Sequence, residues 1–228
     1  MDIEKNLNIV LDRVNKAANR SGRNVDDIHI VAVTKNVDIK NILEAINLGV
    51  RNIGENRAQE LREKYRLIKQ PVNWHFIGRL QSNKVKYIVD KVALIHSLDR
   101  LSLAKELDKR GRKIDRIVPV LVQVNIAKEP TKGGVLEEEV FPFIEQISNL
   151  KNIKIKGFMT IAPHTSNEEK LRTCFSRLRE LYESVNKKQY KNVDMQYLSM
   201  GMTNDFEIAI EEGSNMIRIG RALFGERI

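Results

Sequence analysis

The sequence predicts an α/β fold of the (β/α)8 TIM barrel class, preceded by one N-terminal helix. Short runs of β-branched and apolar residues alternate with segments of helical spacing, and eight strand candidates fit within about 200 residues. Repeated units of this kind favour parallel strands joined by right-handed crossovers. The alternative is a doubly wound open sheet, but the turn Thr34-Lys35-Asn36-Val37 lacks the glycine pattern of dinucleotide-binding folds. No change of composition divides the chain, so we predict one domain over residues 1–228.

The elements follow in order. Residues 3–20 carry apolar side chains at helical spacing and end at Ser21-Gly22, which predicts the N-terminal helix. Continuous apolar character, typical of strands covered on both faces, predicts strands at 28–35, 50–53, 73–77, 92–95, 117–124, 153–158, 195–198 and 215–219. Helices are predicted between them at about 37–48, 57–68, 82–90, 100–110, 137–150, 167–185 and 205–212.

Composition narrows the class of protein. The chain has 228 residues and a net charge of +9, and its basic residues are spread along the sequence without a zinc-knuckle, helix-turn-helix or aromatic RNA-binding pattern. A basic excess suits a small anionic ligand such as a phosphate ester as well as nucleic acid, and composition does not choose between these partners. A single cysteine, Cys174, permits neither an internal disulfide nor a cysteine metal site. With no apolar run of membrane-spanning length and no signal-peptide pattern, we expect a cytoplasmic protein.

Lys35 ends the first predicted strand and is the leading candidate for chemistry. At the C-terminal end of a barrel strand its amine would lie in a partly dry cavity. Desolvation disfavours the ammonium form, so a neutral, nucleophilic amine becomes available for Schiff-base formation. A solvated surface lysine is the alternative for this stretch taken alone.

Other polar and glycine residues are predicted just past strand ends, where barrels carry their sites. They are Gly54-Glu55-Asn56, His75 with Gly78, His96, Asn125, Met159-Thr160, Ser199-Met200-Gly201-Met202 and Arg218 with Gly220. His75 is equally explained as a core histidine, His96 as structural, and Glu55 as a helix cap. The four histidines show no metal-site spacing, and we predict no metal.

The last two stretches predict a phosphate site. A phosphate dianion needs several backbone N–H donors at close approach, which glycine permits. Barrels frequently bind phosphate after strands seven and eight. The candidates there are Ser199, Gly201, Met202, Thr203, Gly220 and Arg221. Tight turns that merely require glycine are the alternative.

Six motifs are distinctive in combination: AVTK (32–35), GENRAQE (54–60), WHFIGRLQSNK (74–84), HSLDR (96–100), LSMGM (198–202) and IRIG (217–220). Together they resemble the pyridoxal phosphate homeostasis protein family, whose members are similar to the barrel domain of alanine racemase. The resemblance runs from about residue 7 to residue 226, and its most specific string is WHFIGxLQSNK. It implies an alanine racemase-like barrel, fold type III among proteins that bind pyridoxal 5′-phosphate (PLP).

The resemblance also implies roles for individual residues. Lys35 is expected to hold PLP as an internal aldimine, Arg218 to face the pyridine nitrogen, and Asn56 to line the ring pocket. The phosphate is expected on Ser199 and on the backbone around Gly201, Met202, Thr203, Gly220 and Arg221. Relatives often continue after the lysine with Thr-Lys-Pro, whereas this chain has Asn36-Val37-Asp38 and therefore no second lysine there.

This resemblance implies PLP homeostasis, with storage or delivery of the cofactor, rather than efficient catalysis. Arginine leaves the pyridine nitrogen unprotonated, which damps carbanion chemistry, and we expect no room for the second domain that gives alanine racemase its other base. The alternatives are a PLP-dependent racemase-like enzyme using the same lysine, a cofactor-free barrel acting on a sugar phosphate and, last, nucleic-acid binding. We expect a monomer whose partners are PLP and, transiently, PLP-dependent apo-enzymes, with no nucleic acid and no membrane.

Overall fold

A computed structural model of the protein, which describes residues 2–129 and 131–225, confirms the predicted barrel and its N-terminal helix. Eight parallel strands close into a ring, each hydrogen-bonded to two neighbours. The ring strands are β1 (His29–Val33), β2 (Asn52–Glu55), β3 (Asn73–Phe76), β4 (Leu94–Leu98), β5 (Val118–Asn125), β7 (Ile153–Met159), β8 (Val193–Met202) and β9 (Met216–Ile219).

The ring closes through the pairing of β1 with β9 and of β4 with β5. A further two-residue strand, β6 (Val135–Leu136), pairs with the end of β5 outside the ring and was not predicted. The α-helices are α1 (Ile3–Arg20), α2 (Ile39–Asn47), α3 (Ala58–Leu67), α4 (Leu101–Lys113), α5 (Val140–Ile147), α6 (Glu168–Asn186), α7 (Phe206–Glu211) and α8 (Arg221–Phe224).

Helix α1 spans the predicted residues and packs against α7 and α8. Its buried stripe contains Ile3, Leu7, Val10 and Val14, the side chains whose spacing predicted the helix. Arg13 on its outer side forms an ion pair with Glu207 of α7 at 2.7 Å. The N-terminal helix therefore covers the barrel beside its last two helices.

Several predicted boundaries were wrong. Strand β4 extends to Leu98, so His96 lies within the strand instead of beyond it. Strand β8 extends to Met202 and includes Ser199 and Gly201, which the sequence had placed in an exit loop. Glycine and serine suggested a turn, but both lie on barrel strands whose pairing continues past them. The segment after β3 is a 3-10 helix, Ser82–Tyr87, instead of an α-helix.

The core has two parts. The larger part lies between the barrel wall and the surrounding helices, and the smaller consists of Val31, Leu94, Leu121, Met159 and Met216. These five residues come from different ring strands and form a separate cluster. We assign this cluster to the barrel interior, because side chains alternate between the two faces of each strand. The interior is thus filled with side chains below the end that carries the site.

No helix within residues 2–129 and 131–225 is long and apolar enough to cross a membrane.

One glycine is required by the barrel wall itself. Gly157 of β7 has φ +139°, and a Cβ there would lie 1.8 Å from the carbonyl oxygen of Tyr197 on β8. We predict that Gly157→Ala lowers the free energy of unfolding by about 4 kcal/mol, because the methyl group forces the two strands apart and the backbone angle is strained.

Gly22→Ala is the matched control for this substitution. Gly22 also has positive φ, +65°, but a Cβ placed there would have no neighbouring heavy atom within 4 Å. Its substitution should cost only about 1 kcal/mol, the strain of the angle alone. Urea unfolding of both variants measures the difference, and equal costs would show that the β7–β8 contact does not require glycine.

Candidate functional site

Lys35 lies directly beyond β1, at the end of the barrel where strands give way to helices. Its side chain is half-buried, and its amine makes no hydrogen bond or ion pair with any residue in the described part of the chain. Strand β1 runs between β2 and β9, with Val33 opposite Gly54 and Ala32 opposite Ile219. Counting on from these pairs, Asn56 comes level with Lys35 on one side, whereas Gly220 on the other side is level with Val33, two residues before Lys35. This position suits an amine that must react with a bound molecule.

Arg218 is the second predicted site residue, and it lies inside the barrel with only 4% of its surface exposed. Its Nη1 donates to the carbonyl oxygen of Ser199 at 2.9 Å and to the Ser199 hydroxyl at 2.7 Å. Its Nη2 donates to the carbonyl oxygen of Thr160 at 2.8 Å. A guanidinium carries five N–H groups, so one on Nη2 and the one on Nε remain without an acceptor among the described residues. These two donors are available to a ligand.

Two histidines extend this network across the barrel. His96 Nδ1 lies 3.1 Å from the Ser199 hydroxyl, His96 Nε2 lies 2.9 Å from His75 Nδ1, and His75 Nε2 lies 3.3 Å from Asn52 Oδ1. Because Arg218 can only donate, each group in turn accepts on one side and donates on the other. The chain therefore runs from Arg218 through Ser199, His96 and His75 to Asn52.

Both histidines are neutral in this arrangement. Burial lowers the pKa of His75 to about 4, helped by the charge of His29. Burial also lowers the pKa of His96 well below its usual value, and His75 and Arg218 add to this effect. Burial lowers the pKa of Arg218 to about 10, so the guanidinium keeps its proton at neutral pH. A single positive charge thus sits at one end of a chain of neutral groups. The partner of His75 is a second histidine, not the backbone carbonyl that a satisfied core histidine usually finds.

The two predicted phosphate turns are adjacent. Strands β8 and β9 pair in parallel, and the Thr203 hydroxyl accepts a hydrogen bond from the Ala222 N–H at 3.4 Å. Gly201 has φ +95°, and a Cβ there would lie 2.7 Å from the Ala209 side chain. The turn therefore requires glycine for its shape.

Several backbone N–H groups at these turns are free to bind a ligand. Four N–H groups have no acceptor among the described residues: those of Thr203, Asn204, Gly220 and Arg221. The Met202 N–H, by contrast, donates to Asp205 Oδ1, which holds the turn in place. Ser199, although predicted for the same role, is fully buried and directs its hydroxyl to Arg218 and His96.

Asn56 borders an open cleft beside Lys35. Its Oδ1 is buried and has no hydrogen-bond partner among the described residues. The cleft has a volume of about 750 Å³, and its charged lining residues are all basic: Arg57, Arg79, Lys84 and Arg100. Gly78 fixes the cleft wall, since a Cβ there would lie 2.2 Å from the carbonyl oxygen of Asn56.

Glu55 does not cap a helix, as one interpretation of the sequence suggested. It is the last residue of β2, is fully buried, and accepts hydrogen bonds from the Thr34 hydroxyl at 2.7 Å and from Lys64 at 2.8 Å. Burial raises its pKa, and the bonds from Lys64 and Thr34 oppose that rise. Sequence reasoning missed Lys64, although its position between Leu61 and Ile68 on the buried stripe of α3 was a signal.

The remaining candidates have structural partners. Asn125 donates to the carbonyl oxygens of Glu129 and Lys132 and so shapes the loop after β5. The Thr160 hydroxyl donates to the carbonyl oxygen of Val124. Within the described ranges, no group of three or more histidine, cysteine or acidic side chains could hold a metal ion.

Comparison with known proteins places the chain in a family. The model of the alanine racemase N-terminal domain matches residues 6–228. The pyridoxal phosphate homeostasis protein of Aquifex aeolicus is 46% identical over 228 residues, which cover 100% of this chain and 99% of that protein. The protein of the same name from Haemophilus influenzae is 36% identical and covers 100% of this chain and 97% of its own length.

Solved structures of similar proteins have the same barrel fold. PipY of Synechococcus elongatus PCC7942, solved with PLP bound, has a TM-score of 0.82 and 30% identity, with 93% of this chain and 100% of that chain covered. Alanine racemase from Corynebacterium glutamicum has a TM-score of 0.73 at 14% identity; the match covers 99% of this chain but 61% of that one, and it shows the fold alone. The chain belongs to the pyridoxal phosphate homeostasis protein family, built on the barrel of the alanine racemase N-terminal domain.

Proposed function

We propose that this protein binds PLP reversibly through the amine of Lys35 and serves in PLP homeostasis by storing or delivering the cofactor. The observation that carries the proposal is the position of that amine: half-buried, without a partner among the described residues, and at the end of a strand that lies between β2 and β9. The relatives named for PLP homeostasis and the PLP-bound PipY structure support the choice of ligand.

The residues fit the three parts of the cofactor. When bound, PLP supplies an aldehyde that bonds reversibly to an amine and a pyridine ring that withdraws electrons. Lys35 offers the amine, and the two unpartnered N–H groups of Arg218 offer donors to a ring nitrogen. The backbone N–H groups of Thr203, Asn204, Gly220 and Arg221, with the hydroxyl of Thr203 close by, form a cradle for the phosphate.

Asn56 and Ser199 have supporting roles in this arrangement. The unpartnered Oδ1 of Asn56, which directly follows β2, would line the ring pocket. Ser199, together with Gly201 and Met202 on the same strand, belongs to the cofactor site by fixing Arg218 and the phosphate turn from beneath. Ser199 therefore acts on the ring end through Arg218, in addition to its predicted place beside the phosphate.

Arg218 favours storage over racemase-like turnover. The Arg218 guanidinium donates hydrogen bonds and keeps its proton at neutral pH, so it would leave a pyridine nitrogen placed beside it unprotonated. An unprotonated ring withdraws electrons weakly and stabilises a carbanion poorly. The buried network that holds Arg218 thus selects binding of the cofactor over chemistry on an amino acid.

Delivery requires contact with an acceptor protein, and the basic cleft is where we place that contact. The cleft begins at Asn56, next to Lys35, and its exposed cations Arg57 and Arg79 have no ion-pair partner among the described residues. A PLP-dependent apo-enzyme with an acidic rim around its own cofactor site would be attracted to this surface.

Lys35→Ala is expected to abolish covalent binding. Wild-type protein incubated with PLP and then with borohydride should gain one stable cofactor label on the peptide that contains Lys35, with loss of its visible absorption band. The variant should gain no label, because the reacting amine is absent. Mass spectrometry of the digested protein measures this.

Lys40→Ala is the matched control, since Lys40 is an exposed lysine on the nearby helix α2. It should label like the wild type. A label that persisted in Lys35→Ala would remove the covalent role from Lys35, and a wild type without any label would overturn the proposed function.

The double variant Arg57→Gln/Arg79→Gln should slow transfer of PLP to an apo-aminotransferase by about fivefold at low salt, because steering by charge is lost. The difference in transfer rate from the wild type should disappear near 0.5 M salt. At that concentration the Debye length is roughly 4 Å, so exposed charges farther apart than this no longer attract each other.

Arg112→Gln/Lys113→Gln removes two exposed cations at the far end of α4 and serves as the control. Stopped-flow absorbance of the acceptor follows the rate. Equal rates for the two double variants would rule out the cleft as the delivery surface.

A further inference from the structure

Both peptide groups that flank Lys35 are held by one ion pair on helix α3. The carbonyl oxygen of Thr34 accepts a hydrogen bond from Lys64 Nζ at 2.6 Å, and the N–H of Asn36 donates to Glu60 Oε1 at 2.7 Å. Lys64 and Glu60 are themselves paired at 2.7 Å, one helical turn apart. The main chain on each side of Lys35 is therefore attached to the same two side chains.

Lys64 has all three of its ammonium donors engaged. They go to the Thr34 carbonyl, to Glu55 Oε1 at 2.8 Å and to Glu60 Oε1, while only 10% of the Lys64 side chain is exposed. A buried ammonium is costly unless each donor finds an oxygen, and here each does. The buried charge of Lys64 is therefore matched by the three groups it contacts.

Asn36 shows what the ion pair controls. Its φ is +53°, in the left-handed region, and this turn leads the chain from β1 toward α2. Asparagine is among the few non-glycine residues that adopt this angle readily, and the bond from its N–H to Glu60 holds the turn in place. The direction in which Lys35 leaves the strand thus depends on Glu60 and Lys64.

We propose that Lys64 and Glu60 are positioning residues for Lys35, which keep its backbone aligned so that the amine meets the cofactor at the barrel mouth. This inference rests on the proposed function of Lys35. Neither residue touches the cofactor; both act through the peptide groups of Thr34 and Asn36. Their loss should weaken capture of PLP while Lys35 itself remains in place.

The test uses two substitutions of Glu60. Glu60→Ala removes both the acceptor for Asn36 and the partner of Lys64, and it should raise the Kd for PLP about tenfold, the worth of one hydrogen bond to a charged group. Glu60→Gln keeps a side-chain oxygen for the Asn36 N–H and should recover most of that loss. Visible-absorbance titration gives the Kd of each variant.

Lys64→Met is the partner substitution. It removes the bond to Thr34 but also leaves Glu55 buried without its cation, so it should destabilise the fold as well. Its Kd is therefore compared only under conditions where calorimetry shows it folded. The Glu60 pair does not depend on that result.

Hydrogen exchange provides a second readout that needs no cofactor. In the protein without PLP, the Asn36 amide should exchange at least tenfold faster in Glu60→Ala than in the wild type, because its acceptor is gone. Nuclear magnetic resonance of the amide protons measures this directly. An unchanged rate at Asn36 would overturn the inference even if PLP binding were altered.

Glu106→Ala and Glu106→Gln are the matched controls. Glu106 forms an ion pair of the same spacing with Arg110 on α4 at 2.6 Å, and its side chain is 20% exposed against 19% for Glu60. These controls should lower the melting temperature less than Glu60→Ala, because Glu60 also partners a buried ammonium, and they should leave the Kd for PLP unchanged.

The outcomes separate the two claims. Suppose that the wild-type protein captures PLP and that Glu60→Ala has the same Kd for PLP as Glu106→Ala. The positioning role of Glu60 and Lys64 is then wrong, and the proposed function of Lys35 stands. If the wild type captures no PLP, the proposed function fails, while the exchange rate at Asn36 still decides whether Glu60 holds the turn.

Discussion

A permanently charged guanidinium buried inside a barrel is the constraint around which this site is arranged. Arg218 is 4% exposed, and an unpaired charge at that depth would be prohibitive. Two backbone carbonyls and the Ser199 hydroxyl meet this requirement. Strands β7 and β8 must therefore present those oxygens at fixed positions, and Gly157 allows the two strands to approach closely enough.

The same constraint orders the neighbouring polar groups. Arg218 can only donate, so Ser199 passes a hydrogen bond on to His96, and His96 passes one on to His75. Because burial keeps both histidines neutral, they add no positive charge to that of Arg218. The proposal of storage in place of turnover rests on this arrangement, in which the barrel interior fixes one arginine where a ring nitrogen would meet it.

The sequence predicted much of the fold because its signals are local. Runs of β-branched residues marked eight strands, and the apolar spacing of residues 3–20 marked α1 at its observed bounds. Strand β8 was predicted too short because Ser199 and Gly201 look like turn residues. In the structure, Ser199 accepts a hydrogen bond from Arg218, and Gly201 lets Phe206 and Ala209 pack closely against the strand. Such contacts join distant segments and leave no local pattern.

The same distinction between local and long-range contacts separates the site residues that were predicted from those that were missed. Lys35 and Arg218 stand in recognisable motifs, and the order of strands along the chain was enough to predict that the two glycine turns are neighbours. The Lys64–Glu60 pair was missed because its spacing is that of an ordinary surface ion pair on a helix, although Lys64 falls on the buried stripe of α3. Only the fold shows that this pair faces inward and holds the main chain on both sides of Lys35.

The most direct test of this account is the protonation state of the pyridine nitrogen. Nitrogen-15 magnetic resonance of ring-labelled PLP bound to the wild-type protein at neutral pH reports it, calibrated with free PLP at low and high pH. We expect the chemical shift of an unprotonated nitrogen that accepts a hydrogen bond from Arg218. A protonated nitrogen would contradict it, since the guanidinium would then not face the ring and the buried network would not explain storage.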